Sequence, residues 1–204
     1  MFRVTSAAGD PQTATEALET CRRCHPDDLG VVRMLADHYR ELGEAGKEAD
    51  MVKQLAERKE EAGEIEDAVE YYKKAIHRYI SKRLFTNIRE IWHKLIEYIP
   101  EETDLFFQIE KKVAKAINED RASQLLEVLY TDYREKENWD KAIEILKRIL
   151  TYDPRTEWAR KEITECYRNK YADHSQLEEY IKLSNLNQNW RNVHEAIEDF
   201  EKHI

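Results

Sequence analysis

A set of apolar positions in this chain recurs at a fixed offset of 54 residues, and few kinds of fold allow that. Ile88, Trp92, Leu95, Ile96, Tyr98 and Pro100 lie over Ala142, Leu146, Ile149, Leu150, Tyr152 and Pro154. Upstream, the same offset sets Tyr72, Ala75, Ile76 and Tyr79 over Leu126, Leu129, Tyr130 and Tyr133, so a helix, a turn and a second helix recur together. A helix of about 15 residues is marginal in water, so each must bury its apolar stripe on the next, and repeated units do so by stacking. Strands are a poor alternative. Five Gly and four Pro among 204 residues fall well below the usual ~12%, too few for the turns of a hairpin-rich β fold.

Reading apolar periodicity and breakers along the chain predicts an all-α fold of about eleven helices, at 12–24, 27–42, 47–61, 65–81, 84–98, 102–118, 121–136, 139–151, 155–170, 175–186 and 190–204. Residues 1–10 carry no apolar period and read as a disordered N-terminus, with order beginning at Pro11. No Gly/Ser/Pro-rich linker follows, so 11–204 reads as one continuous helical domain. In the last helix Val193, Ala196, Ile197, Phe200 and Ile204 keep an apolar face to the final residue. That pattern fits either a chain that continues further or a closing helix packed on 175–186.

These positions resemble the tetratricopeptide repeat, a 34-residue pair of helices with a small residue at the helix crossing and a closing Pro. Residues 123–154 match best: Ala142 at the small position, Leu146 and Ile149 at packing positions, Tyr133 as the first-helix aromatic and Pro154 as the terminator. Residues 69–100 match more loosely, since Ile88 replaces the small residue and Ala75 stands where Leu is usual. The offset of 54 is one such repeat plus one more helix, at 102–118. A second alignment, at offset 74, sets Val52, Leu55, Ile65, Ala68, Tyr72 and Ala75 over Leu126, Leu129, Trp139, Ala142, Leu146 and Ile149. Helix 65–81 can therefore pair with 47–61 or with 84–98, and Pro100 favours the second pairing.

The resemblance implies an α-solenoid of antiparallel hairpins that holds a protein or peptide in a concave groove. It implies partner-binding positions at Lys73, Lys74 and His77 in one repeat and at Gln124, Glu127, Thr131 and Arg134 in the other. Members that clamp a terminal carboxylate use Lys followed four residues later by Asn. Here Lys73 matches and His77 departs, while Glu127 and Val128 stand where further polar clamp residues are expected, so an internal peptide or a protein face is the better fit.

Signs of chemistry are sparse. Cys21, Arg22, Arg23, Cys24 and His25 have the spacing of a covalent haem attachment site. The expected context is missing: there is no export signal, no second axial ligand can be named, and Pro26 follows at once. Zinc would need two further ligands, and Cys166 with His174 is not a recognised pair. The plain reading puts Cys21 or Cys24 on the core face of a short helix. No glycine-rich phosphate loop, nucleophile elbow or metal-binding His pair is present, so the sequence predicts no enzyme and no cofactor. A net charge of −9 disfavours nucleic acid as a general partner, and no apolar run reaches the ~20 residues of a membrane span. The expected location is cytoplasmic. One stretch reverses the charge: Arg78, Lys82, Arg83, Arg89 and Lys94 face a single acid, Glu90, and make a patch suited to an anionic partner, either acidic peptide or RNA. The alternative pairs these cations with the acidic helix before them.

The run from Ala17 onward, and above all NWRNVHEAIEDFEKHI at 189–204, resembles the helical region placed before the cleavage-factor domain in some large bacterial Gre-type transcription elongation proteins. That resemblance implies an interaction module linked to the transcription machinery. Three functions are thus expected in order: a peptide- or protein-binding scaffold, a Gre-type accessory region, and an RNA-contacting helical repeat.

Overall fold

The computed structural model describes residues 10–172. Among them it contains nine helices and no strand: α1 (Pro11–Cys24), α2 (Leu29–Glu41), α3 (Ala45–Glu61), α4 (Ile65–Lys82), α5 (Phe85–Tyr98), α6 (Thr103–Ala116), α7 (Glu119–Glu135), α8 (Trp139–Tyr152) and α9 (Glu157–Lys170). The expected helices at 175–186 and 190–204, and residues 1–9 of the expected disordered N-terminus, lie outside the described residues. The chain divides into two compact units, Met1–Ile117 and Asn118–Ile204.

The recurrence read from the sequence extends to the helix boundaries. Helices α4, α5 and α6 begin at 65, 85 and 103; α7, α8 and α9 begin at 119, 139 and 157, each 54 residues on. Of the eighteen paired positions inside these helices sixteen are buried, from Tyr72, Ala75, Ile76 and Tyr79 through Leu146, Ile149 and Leu150, while Tyr98 and Tyr152 at the helix ends are half-buried. Ile88 and its counterpart Ala142 are both completely buried, so a large side chain in one unit and a small one in the other fill different spaces at the same position. The closing prolines are not core residues: Pro100 is half-buried and Pro154 exposed.

One turn serves four connections. At the ends of α2, α3, α4 and α7 the chain passes through a left-handed residue, with φ of 70° at Gly43, 78° at Gly63, 58° at Arg83 and 55° at Glu137. In each case the next amide reaches back five residues: Glu44 to the Tyr39 carbonyl at 2.9 Å, Glu64 to Lys59 at 2.9 Å, Leu84 to Tyr79 at 3.0 Å, and Asn138 to Tyr133 at 2.8 Å. This is the Schellman closure, which satisfies carbonyls that the helix end would otherwise leave unpaired.

Within the first unit, side chains also join alternate helices. Lys53 of α3 pairs with Glu90 of α5 at 2.6 Å, and the Arg33 guanidinium of α2 donates to the Tyr71 hydroxyl of α4 at 3.3 Å. At the end of the unit, Trp92 of α5 meets Phe106 of α6 edge-on, with ring centroids 5.0 Å apart. Helix α4 packs on both neighbours but more extensively on α3 than on α5. The pairing preferred from Pro100 is thus the weaker of the two, because a terminating proline reports where a helix stops and not how closely two helices approach. In the second unit α8 packs on both α7 and α9, and Trp158 of α9 lies beside Tyr130 of α7, with ring centroids 6.0 Å apart.

Helix α1 departs from expectation. Cys21 and Cys24 are both exposed, and no residue of α1 is buried. The half-buried stripe of α1 runs through Ala14, Thr15, Leu18, Glu19 and Arg22, which turns both thiols outward.

Candidate functional site

In the first unit, carboxylates of α3 organise the helices around them. Glu48 is buried, and its carboxylate lies 2.8 Å from Arg40 Nε of α2 and 2.6 Å from Arg78 Nε of α4. A buried carboxylate needs such partners, because desolvation of a lone charge costs several kcal/mol. Glu60 accepts from the Tyr72 hydroxyl at 2.5 Å, from Lys94 Nζ at 2.5 Å and from the Tyr98 hydroxyl at 2.6 Å, linking α3, α4 and α5. Burial pushes the Glu60 carboxyl up, but the bonds from Lys94, Tyr72 and Tyr98 outweigh it and hold the group below the ordinary range.

These bonds decide the status of the basic patch. Arg78 is held by Glu48 and Lys94 by Glu60, both on the acidic helix that precedes them. Glu90 is likewise taken by Lys53. Lys82, Arg83 and Arg89 are exposed, around the turn from α4 into α5. Tyr79 and Trp92, the aromatic residues that alternate with these cations along the chain, are buried in the core and offer no open ring for base stacking.

The positions implied by the repeat resemblance fall on helix surfaces. On α4, Lys73 pairs with Glu70 at 3.1 Å, and exposed Lys74 sits over the Tyr71 ring, 5.2 Å from its centroid. His77 keeps more than a third of its surface open, yet its pKa is lowered: crowding by neighbouring atoms withdraws the ring from water, and Lys112 and Arg78 repel its protonated form. Lys112 lies on α6, so His77 marks where α4 and α6 come together, a relation that periodicity does not reveal.

In the second unit, Gln124 accepts from Arg121 at 2.9 Å and donates to Asp120 at 3.0 Å. Glu127 is raised by burial and by Asp120, while the Thr131 hydroxyl donates to the Glu127 carbonyl at 3.0 Å. Arg134 lies 3.6 Å from Glu162 of α9, whose carboxylate also accepts from the Tyr130 hydroxyl. Beside it, burial pushes the Cys166 thiol up to about 11, so this cysteine stays protonated at neutral pH. Among the described residues no group of three His, Cys, Asp or Glu is arranged to hold a metal ion, and no helix is long and apolar enough to cross a membrane.

No family model matches the chain. A "Putative GreA-associated domains protein" of Treponema pallidum is 43% identical over 197 residues, which is 96% of this chain and 29% of that protein. "Transcription elongation factor GreA" of Borreliella burgdorferi is 35% identical over 178 residues, 87% of this chain and 17% of that protein. The chain therefore spans less than a third of either relative. Among solved structures, BtubC (BKLC) from P. vanneervenii overlaps 97% of this chain and 91% of its own, at 12% identity and a TM-score of 0.36, too loose a superposition to define a common fold.

Proposed function

We propose that this chain is a helical interaction region of the kind carried by Gre-type transcription elongation proteins, and that it holds a protein partner of the transcription machinery without turnover. The observation that supports this most is the 43% identity, sustained over nearly the whole chain, to a protein named for GreA-associated domains. The molecular part of the reading is the scaffold expected from the repeats: stacked helices presenting polar side chains, here Lys73, Lys74 and His77 in one unit and Gln124, Glu127, Thr131 and Arg134 in the other. Such a region would work in the cytoplasm, beside RNA polymerase.

The test is direct binding of the purified chain to purified bacterial RNA polymerase, measured by biolayer interferometry. A saturable complex that survives physiological salt is expected. Absence of binding to both core enzyme and elongation complex overturns the reading.

A second reading rests on Lys82, Arg83 and Arg89, which are exposed in a chain where the neighbouring cations are paired. RNA contact there predicts salt-sensitive binding of single-stranded RNA that Lys82→Glu with Arg83→Glu abolishes. RNA binding unchanged by these reversals removes it.

A further inference from the structure

We infer that the surface shared by α4 and α6 of the first unit docks a carboxylate-rich segment of a partner protein, with Lys112 and Lys115 of α6 as its principal charge contacts. This rests on the interaction role proposed above and names the chemistry of the partner.

Half of the cations described in the unit are ion-paired within it. Arg40 and Arg78 share Glu48, Arg58 pairs with Asp27 and Glu61, Lys59 with Glu64 and Asp67, and Lys94 with Glu60. On α6 the pattern changes. Lys111, Lys112 and Lys115 are all exposed, and none forms an ion pair with a carboxylate of the described residues. Helix α6 packs on α4, and Lys112 acts on His77 across that contact to disfavour its protonated form, so Lys112 and His77 belong to one stretch of surface. Lys73 spends part of its charge on Glu70, and Lys74 projects over Tyr71. In a protein of net charge −9, positive groups left without acids on one surface are what a negatively charged ligand would neutralise.

Carboxylates fit better than RNA. RNA affinity without sequence readout draws on open aromatic rings for base stacking, and the Tyr71 ring is already covered by Lys74. The cations on this surface are lysines, point charges that suit scattered carboxylates, whereas the planar fork of arginine favours bidentate phosphate binding.

The experiment uses the full chain, a fluorescein-labelled glutamate-rich peptide and a polyuridine oligonucleotide of equal charge, read by anisotropy at two salt concentrations. The expected result is salt-sensitive peptide binding that shifts the His77 ring resonances. Lys112→Glu with Lys115→Glu should weaken it about tenfold, the sum of two exposed charge contacts. The pair Lys136→Glu with Lys161→Glu, which changes net charge equally in the second unit, should leave it intact. Equal loss in both variants, peptide binding that leaves the His77 resonances unshifted, or tighter binding of the oligonucleotide than of the peptide overturns the proposal. Polymerase binding that persists in Lys112→Glu/Lys115→Glu sinks this surface as the docking site and leaves the interaction role standing. Peptide binding without polymerase binding sinks the interaction role alone.

Discussion

Four turns need a left-handed residue, and two of them lack the glycine that takes this conformation most easily. A side chain in the left-handed region costs about 1 kcal/mol, because Cβ crowds the following carbonyl. Arg83 and Glu137 bear that cost at φ of 58° and 55°. Arg83→Gly and Glu137→Gly are therefore expected to stabilise the protein by roughly 0.5–1 kcal/mol each, seen as a higher denaturation midpoint in urea. Gly63→Ala should cost about 1 kcal/mol for the same reason. A Cβ built on Gly63 meets nothing within 4 Å, so that loss would be conformational and not steric. His77 gives a pH signature. Its pKa in the folded chain lies below the ordinary 6.5, so the unfolded chain binds more protons between the two values. This contribution is intact above pH 6.5 and is lost as pH falls through that window; denaturation midpoints should decline there, and by less in His77→Gln. Neither feature stands out in the sequence. Arg83 and Glu137 are unremarkable surface residues until the backbone closes, and the environment of His77 depends on Lys112, 35 positions away.

The helices themselves were legible, because an apolar period needs no partner to be seen. The recurrence at 54 predicted that Ala142, Leu146, Ile149 and their counterparts face inward, and the structure buries them all. Ala142 has no exposed surface, so Ala142→Leu should destabilise the protein by about 1–3 kcal/mol through overpacking at the helix crossing. An unchanged urea midpoint would remove Ala142 from that crossing. Of the polar links between helices, the sequence offered only that the later cations could pair with the acidic helix before them, as Arg78 and Lys94 do, and not which carboxylates would serve. Glu60 stands in a run of acids with nothing in the sequence to single it out, yet its carboxylate collects Tyr72, Lys94 and Tyr98 from two other helices. Glu60→Ala leaves the hydroxyl of buried Tyr72 without its acceptor, at a cost of about 1–3 kcal/mol, while Glu60→Gln should cost less because an amide oxygen still accepts from tyrosine. The thiols of α1 failed differently. Cys21 and Cys24 suit a buried stripe by composition, but among the described residues α1 packs on α2, and the stripe it uses runs past them.

The chain reads as one continuous helical domain because no linker composition interrupts it, and within it the structure divides into two compact units, with the boundary between Ile117 and Asn118. Each has buried residues of its own. In the first they run from Val31 to Val113, and in the second, among the described residues, from Ala122 to Tyr167. Repeat arrays lose strict two-state behaviour when the coupling between neighbouring units is weak beside the stability of each, so the separation has an energetic consequence. A defect in one core should loosen that core first. Native-state hydrogen exchange on the full chain can distinguish the units. Glu60→Ala should reduce protection across α3, α4 and α5 and leave α7, α8 and α9 at wild-type protection; Ala142→Leu should do the reverse. If both variants lower protection evenly along the chain, the two units unfold as one. The docking surface on α4 and α6 lies wholly within the first unit, so Ala142→Leu should leave glutamate-peptide affinity at the wild-type value even where it unfolds the second.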